Sequence, residues 1–371
     1  MSEALAIVHT ESSLGWGGQE LRILSESRGL ARRGHQLTLL CPPEGRLYAE
    51  APAWDLRVVA MPIARKTVAG LLALRRWFGQ NRCHVVSTHS STDSWLSALA
   101  LASLRDPVPM VRTRHISAPV PRNALSRWLY RRPARIVTTG DALRRDLIER
   151  LALEAAKVQS VPTGVDPERY RPGDRRAARA ALGLPLDAPI IGIVATLRSW
   201  KGHRDLVEAL AGMASGALLV IVGDGPQRGA LESQIHGLGL QERVRLAGNQ
   251  RDVVPWLQAF DVFALPSYAN EGVPQALLQA MLTGLPCVTT DIGSIGELAA
   301  NEATALVVPP RDPARLRAAL ERVLGDQALR QRLGEAARTH CATSMSEARM
   351  LDRMEALYRE VTSIDQSSPR S

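Results

Sequence analysis

The chain has 371 residues, 45% of them hydrophobic and 22% charged, and carries a formal charge of +9. That length suits two ordinary domains and the composition is normal for a soluble globular protein. No apolar run approaches the roughly 18–20 residues that a membrane-spanning helix needs.

The opening MSEALAIVHTES holds an acidic residue and only a short apolar run, so it reads as a first strand and not as a signal peptide. Short apolar runs then alternate with helical patterns, which predicts repeated βα units and parallel sheets. In the first half, strands are expected over 4–9, 36–40, 57–59, 84–88, 109–113 and 135–138. Helices are expected over 18–33, 67–80, 91–103, 123–132 and 141–151. A Pro-rich link at 162–172 (PTGVDPERYRP) follows. The second half repeats the plan, with strands over 190–195, 218–222, 244–246, 262–265, 287–289 and 305–308. Its helices fall over 203–213, 226–236, 252–258, 274–283 and 312–337. An amphipathic helix over 346–361 and a polar, disordered tail SIDQSSPRS end the chain. The expected domains are therefore 1–165 and 166–345, with the helix 346–362 packing back on the first domain and a tail of 363–371.

The charge is uneven. Residues 1–170 hold 24 Lys+Arg against 15 Asp+Glu, whereas residues 171–371 hold 22 of each. The first half should therefore meet something anionic, such as a membrane surface or a phosphorylated acceptor. A nucleic acid would satisfy the charge as well. The chain has no helix-turn-helix, RNP or zinc pattern, however, and its 4% aromatic content offers few stacking platforms. Cys41, Cys83, Cys287 and Cys341 lack metal-type spacing, and buried thiols in a reducing cytosol are the expectation.

Seven stretches carry chemistry. In SLGWGGQELR (13–22), Gly15, Gly17 and Gly18 follow the first strand and open a helix, a place where backbone N–H groups can approach a phosphate. In STHSSTDSWLSALA (87–100) and RTRHIS (112–117), His89 and His115 each follow a strand at its carboxyl end, with His115 the stronger candidate. Asp93 can cap the helix after it, and Arg112 and Arg114 can reach an acceptor phosphate. In VATLRSWKGH (194–203), Arg198 and Lys201 can neutralise a diphosphate as it leaves, and Lys201 is one of three lysines among 43 arginines. VGDGPQRGALE (222–232) makes a tight strand-to-helix turn at Gly223–Pro226, and AGNQRDVVPWLQAFDVFALPSY (247–268) follows it. In NEGVPQALLQAMLTGLP (270–286), Glu271 sits in a turn, a helix starts at about Pro274, and Gln275 and Gln279 share a face. Gly284 stops that helix. A carboxylate, helix N-terminal N–H groups and an amide thus gather where a hydroxyl-bearing anion would suit them.

The last stretch resembles the donor-site pattern E-G-x-P-x-x-x-x-E-A-x-A-x-G-x-P of the retaining family 4 glycosyltransferases of GT-B fold. Residues 13–22 resemble that family's N-terminal G-G-x-E loop, and residues 194–203 its G-R-L-x-x-x-K-G element. The resemblance covers nearly the whole chain and is strongest over 190–300. It implies an α/β fold of two Rossmann-like domains and transfer of a sugar from a nucleotide-diphosphate donor, UDP before GDP. It assigns catalysis to Glu271, which orients the sugar, with His115, Lys201 and Arg198. It assigns donor binding to Gly17, Gly18, Gly202, Gly223, Gly272, Val273 and Gln279. Gln279 stands where the family has its second Glu, and an amide can still bond a ribose diol. The usual Arg position is Thr196, with Arg198 displaced by two residues. Neither cofactor nor metal is implied, since no Asp-x-Asp motif is present and two cations stand in its place. The expected acceptor is a cell-envelope glycan or lipid-linked sugar, such as lipopolysaccharide core. That would make the enzyme cytoplasmic and peripheral on the membrane through Trp77, Trp95 and Trp128, with Arg75, Arg76, Arg131 and Arg132. The other enzyme readings are a GT-B epimerase and a phosphorylase, and the latter needs a pyridoxal lysine for which no context stands out.

Overall fold

The computed structural model describes residues 3–115, 118–269 and 271–367, with side chains to 363. It divides into two compact units, one of Met1–Gly164 with Glu347–Ser371, the other of Val165–Ser346. Among the described residues no helix is long and apolar enough to cross a membrane.

The first unit is built on seven strands: β1 (Ala6–Thr10), β2 (Gln36–Cys41), β3 (Arg57–Ala60), β4 (Val85–Thr88), β5 (Met110–Arg114), β6 (Arg135–Thr138) and β7 (Val158–Ser160). They pair in the order β3-β2-β1-β4-β5-β6-β7, all parallel. Helices covering both faces leave strands such as Ile7–Val8 and Val85–Val86 at 2% exposure or less, which explains their uninterrupted apolar runs. β1 lies inside the sheet, with β2 on one side and β4 on the other. The connections therefore diverge after β1 and leave a crevice at the carboxyl ends of β1 and β4.

The second unit repeats this with β8 (Ile190–Val194), β9 (Leu218–Val222), β10 (Val244–Gly248), β11 (Val262–Leu265), β12 (Cys287–Thr289) and β13 (Leu306–Val307). The order is β10-β9-β8-β11-β12-β13, and the reversal here falls between β8 and β11. Gly192 in β8 has a packing reason: a Cβ there would lie 1.9 Å from the Phe260 ring.

Several elements depart from the sequence reading. β7 was not anticipated, because VQS is a three-residue edge strand with one apolar residue. The helix Arg175–Leu182, between the link at 162–172 and the first strand of the second unit, was not anticipated. Asp174 starts it by accepting from Ala177 N at 3.0 Å, and Gly183 at φ +60° ends it. The single helix expected over 312–337 is two, Pro313–Gly325 and Gln327–Ser344. Asp326, extended between them, caps the second through Leu329 N at 2.9 Å. Pro274 is the N-cap of Gln275–Leu282 and lies outside the first turn. Gly284, at φ +79°, closes that helix as expected, with Leu285 N donating to Ala280 O at 3.1 Å. The last helix runs Glu347–Ser367, well past the point where a disordered tail was expected, and residues 368–371 lie outside the described residues.

That last helix packs in the first unit, and a buried ion pair marks the contact. Arg22 and Glu26, one turn apart on Gly18–Arg32, pair at 3.4 Å with both side chains fully buried. Arg22 Nη1 donates to Val161 O at 2.6 Å, and the Tyr358 hydroxyl donates to Glu26 at 2.9 Å. Removing one member of such a pair strands a buried charge. Glu26→Ala should therefore lower stability by about 3–5 kcal/mol, while the apolar double replacement Arg22→Met with Glu26→Leu should cost far less. Urea denaturation of the two variants checks this, and equal losses would contradict it.

Candidate functional site

In the second unit, the two strands that flank the reversal send out the two loops with the expected chemistry. After β8 the chain runs through Ala195–Arg198 into a short 3-10 turn, Ser199–Lys201, and then Gly202 at φ +74°. After β11 it runs through Pro266–Ala269 to Glu271. The loops are sewn together by backbone. Tyr268 N donates to Trp200 O at 2.9 Å, and a Cβ on Gly202 would sit 2.1 Å from Pro266 O. The result is an ion pair: Lys201 Nζ lies 2.7 Å from Glu271 Oε1. Glu271 is 4% exposed, and its Oε1 also accepts from Ser267 Oγ at 2.6 Å. The Ser267 carbonyl in turn accepts from Thr290 Oγ1 at 2.6 Å. Gly293, at φ +64°, approaches the Glu271 carbonyl so closely that a Cβ would stand 2.0 Å away. Ser267, Thr290 and Gly293 escaped the sequence reading; the Pro-Ser after β11 was the signal for Ser267.

Of the other candidates here, Gly272 and Val273 are buried beside Glu271, with Val273 in the core. Arg198 is exposed, and its guanidinium lies 5.8 Å from the Trp200 ring centroid, outside the Lys201–Glu271 pair. Gly223 was read as a close approach to a nucleotide. Its φ of +142° and the 2.0 Å that would separate its Cβ from Ala195 O show that its space is taken by the neighbouring protein loop. Gln279 is 4% exposed and donates through Nε2 to the Tyr170 hydroxyl at 3.0 Å, so its amide has a protein partner that the sequence did not suggest.

In the first unit, β1, β4 and β5 deliver three histidines in a row. His9 Nδ1 lies 2.8 Å from His89 Nε2, and His89 Nδ1 lies 2.9 Å from His115 Nε2. Burial, their mutual repulsion and the charge of Arg22 hold His89 and His115 well below the ordinary histidine range, and burial lowers His9 too. His9 was missed because it lies inside the first apolar strand. Asp93 caps the helix Ser91–Ala102 as expected, accepting from Ser90 N at 2.8 Å, and also takes His89 N and Thr10 Oγ1 at 2.9 Å each. Burial raises it to about 6. Glu11, likewise missed, accepts from Ser13 N at 2.6 Å, from Gln19 and from Ser90. Burial and the nearby Asp93 push it up to about 8.

Gly17 is the N-cap of Gly18–Arg32, and its φ of −177° is an extended conformation open to any residue. Arg112 is 3% exposed with its guanidinium over the Tyr130 ring at 4.1 Å. Its charge is packed inside the fold, away from the acceptor phosphate that the sequence suggests for it. Arg114 donates to Ala118 O. Residues 116, 117 and 270 of the quoted motifs lie outside the described residues. Among the described residues no cluster of three His, Cys, Asp or Glu could hold a metal ion.

These titrations set a pH optimum for stability. The buried histidines 9, 89, 115 and 203, the last pushed down to about 3, stay neutral when folded. The unfolded chain takes up their protons below about pH 6.5, so stability is lost as pH falls through that value. Glu11 has the opposite sign: folded, it keeps its proton up to about 8, so stability falls as pH rises between the ordinary carboxyl range and 8. Asp93 acts likewise up to about 6, but the histidines outnumber the two carboxyls. The urea midpoint should peak near pH 6.5, with limiting slopes of about 1.4 kcal/mol per pH unit for each proton. A midpoint that climbs steadily from pH 5.5 to 8.5 would refute the buried neutral Glu11.

Comparison with known proteins agrees with this layout. Residues 174–340 match the family model for glycosyl transferases group 1, and residues 16–169 match the model for Glycosyltransferase Family 4. The chain is 31% identical over 306 residues to a D-inositol 3-phosphate glycosyltransferase of Corynebacterium urealyticum, covering 74% of this chain and 72% of that one. It is 28% identical over 353 residues to the 2-deoxystreptamine glucosyltransferase of Streptomyces kanamyceticus, covering 83% and 90%. In fold it is similar to a glycosyltransferase from Rickettsia africae (TM-score 0.86, 20% identity, 97% and 99% covered). It is equally similar to Anabaena Alr3699/HepE in complex with UDP-glucose (TM-score 0.86, 20% identity, 96% and 100% covered). Two Rossmann-like units of the GT-B class are thus the fold, and the chain belongs to the group 1, family 4 glycosyltransferases.

Proposed function

We propose that this glycosyltransferase moves a sugar, with retention of configuration, from a uridine diphosphate sugar to a hydroxyl of a cell-envelope glycan or lipid-linked acceptor at an anionic membrane surface. The observation that carries the chemistry is the 2.7 Å pair of Lys201 and Glu271. A cation that can meet a diphosphate and a carboxylate that can bond sugar hydroxyls are held side by side by backbone contacts. In the reaction the anomeric carbon–diphosphate bond breaks as the acceptor oxygen bonds to the same face. The acceptor proton passes to the departing diphosphate, so no pair of carboxylates in the glycosidase arrangement is required. Lys201 stabilises the charge that develops on the leaving group, with Arg198 as a second cation, and Gln279 is the ribose-side amide. UDP is supported by the fold neighbour solved with UDP-glucose.

The acceptor side rests on the first unit's surface. Val68, Leu72, Leu125 and Trp128 are exposed at 71%, 58%, 67% and 36%. Trp128 packs against Trp95 at 5.5 Å between centroids, and Lys66 and Arg132 lie over these two rings. Apolar side chains among cations suit an anionic lipid surface. Trp77 and Trp95 are half-buried against the core, so Trp128 is the aromatic most exposed to a membrane. A second reading, a small phosphorylated polyol as acceptor, is favoured by the names of the inositol phosphate relatives.

Four measurements test these assignments. In a thermal-shift screen of UDP, GDP, ADP and their sugars, the uridine series should stabilise most, and a larger shift with GDP would overturn the base. Glu271→Ala should abolish transfer and keep a native melting profile. Lys201→Ala should weaken UDP binding by about 1.5–3 kcal/mol while uridine binding barely changes. It should also destabilise the fold more than Glu271→Ala, because it leaves a buried carboxylate with one hydroxyl partner. Equal losses for UDP and uridine would sink the phosphate role. Finally, the protein should cosediment with anionic vesicles and less so at high salt, and Leu125→Ser with Trp128→Ser should halve recovery or worse. Equal recovery with neutral vesicles at low salt would leave the soluble polyol reading.

A further inference from the structure

We propose that His9 and His89 are positioning residues that hold His115 in one neutral tautomer, its Nδ1–H presented to a sugar hydroxyl oxygen of the substrate. The inference deepens the transferase reading above and rests on it for the identity of the ligand. Three neighbouring strands build the row. His9 lies on β1 opposite Ser87 of β4, His89 follows β4 directly, and His115 follows β5. The His9 and His89 rings lie within 14° of parallel with centroids 5.1 Å apart. With the facing nitrogens 2.8 Å apart, that separation leaves room only for an edge-to-edge bond in the ring plane. His89 and His115 repeat it at 33° and 5.2 Å. The His115 carbonyl accepts from Thr139 Oγ1 at 3.0 Å, which anchors the end of the row.

The direction of the row follows from proton bookkeeping. A neutral imidazole has one donor and one acceptor, so two linked bonds must point the same way. If they run from His115 toward His9, the His9 proton sits on Nε2. That nitrogen is buried and has no partner. An unpaired buried N–H is the rarer and costlier defect, and a bare acceptor in the same place costs less. The bonds therefore run outward. His9 Nδ1–H donates to His89 Nε2, and His89 Nδ1–H donates to His115 Nε2. The His115 proton is thereby placed on Nδ1, the one ring donor that the row does not consume.

Two consequences follow. His115 donates to an oxygen and does not take the acceptor's proton. The row also orients and does not conduct, since moving a proton to its inner end would put a cation on His9, where burial at 1% exposure outweighs the attraction of Glu26.

The test is the tautomer itself. In full-length protein labelled with nitrogen-15 histidine, long-range proton–nitrogen spectra near pH 7 distinguish Nδ1–H from Nε2–H, with signals assigned by single substitutions. His115 should be Nδ1–H in the wild type, and Nε2–H or imidazolium there would overturn the proposal. His9→Leu should release the row into mixed tautomers at His115, while His9→Asn keeps an N–H where Nδ1 was and should restore the wild-type signature. An unchanged His115 spectrum in a folded His9→Leu protein would also overturn it. Should that variant not fold, the wild-type and His9→Asn spectra still decide. With UDP-glucose, UDP release by His9→Leu should show kcat lowered about tenfold, the worth of one hydrogen bond, with KM little changed and His9→Asn near wild type. A wild type inert toward UDP-glucose would count against the donor assignment and leave the spectra to judge the row.

Discussion

In a parallel sheet every strand ends at the same edge, and only where the strand order turns back do two consecutive crossovers part and leave space between them. The candidate site depends on that constraint twice. In the second unit the turning point lies between β8 and β11, and the loops after those strands bring Lys201 to Glu271. In the first unit it lies between β1 and β4, where the loops after them bring Glu11 to Ser90 and where His9, near the end of β1, meets His89. Residues 70 and 80 positions apart in sequence become partners because the topology leaves nowhere else for these loops to meet.

Around the two strand-order reversals polar groups are buried in different ways, apart from the charged Arg22–Glu26 pair of the first unit and the neutral His203 of the second. The second keeps charge and pairs it, with a carboxylate at 4% exposure matched by an ammonium and a hydroxyl. The first gives up charge at its loop edge. Three histidines are held neutral, and Glu11 and Asp93 are raised toward their protonated forms. Low dielectric makes an unpaired charge costly and a satisfied neutral hydrogen bond cheap. That division matches the proposed chemistry, in which one side meets a charged diphosphate and the other a hydroxyl-bearing sugar.

Glycines at these loops serve the protein's own backbone. Gly202, Gly223 and Gly293 all have positive φ, and each would drive a Cβ into a carbonyl, of Pro266, Ala195 and Glu271 respectively. The tight turns that motif reasoning assigns to ligand approach are here the joints that lock one loop against the next. The lock is what holds the Lys201 ammonium and the Glu271 carboxylate in register, so a glycine can matter to the site without touching a substrate.

The amino-acid sequence by itself determined the class of fold, because alternating apolar runs and amphipathic helices are local patterns whose periods can be read directly. Glu271, Lys201 and His115 stand out as candidates for a related reason: each lies in a short motif beside a strand end. What the periods could not report were features set by contacts between distant segments. The Lys201–Glu271 bond, the Gln279–Tyr170 bond and the histidine row join residues from 26 to 109 positions apart. Arg112 and Gln279 each meet a tyrosine that the sequence did not point to, since polarity reports what a side chain prefers in isolation and tertiary packing decides which partner it meets. His9 is the reverse case, a polar residue within an apolar strand, whose meaning depends on two rings delivered by β4 and β5.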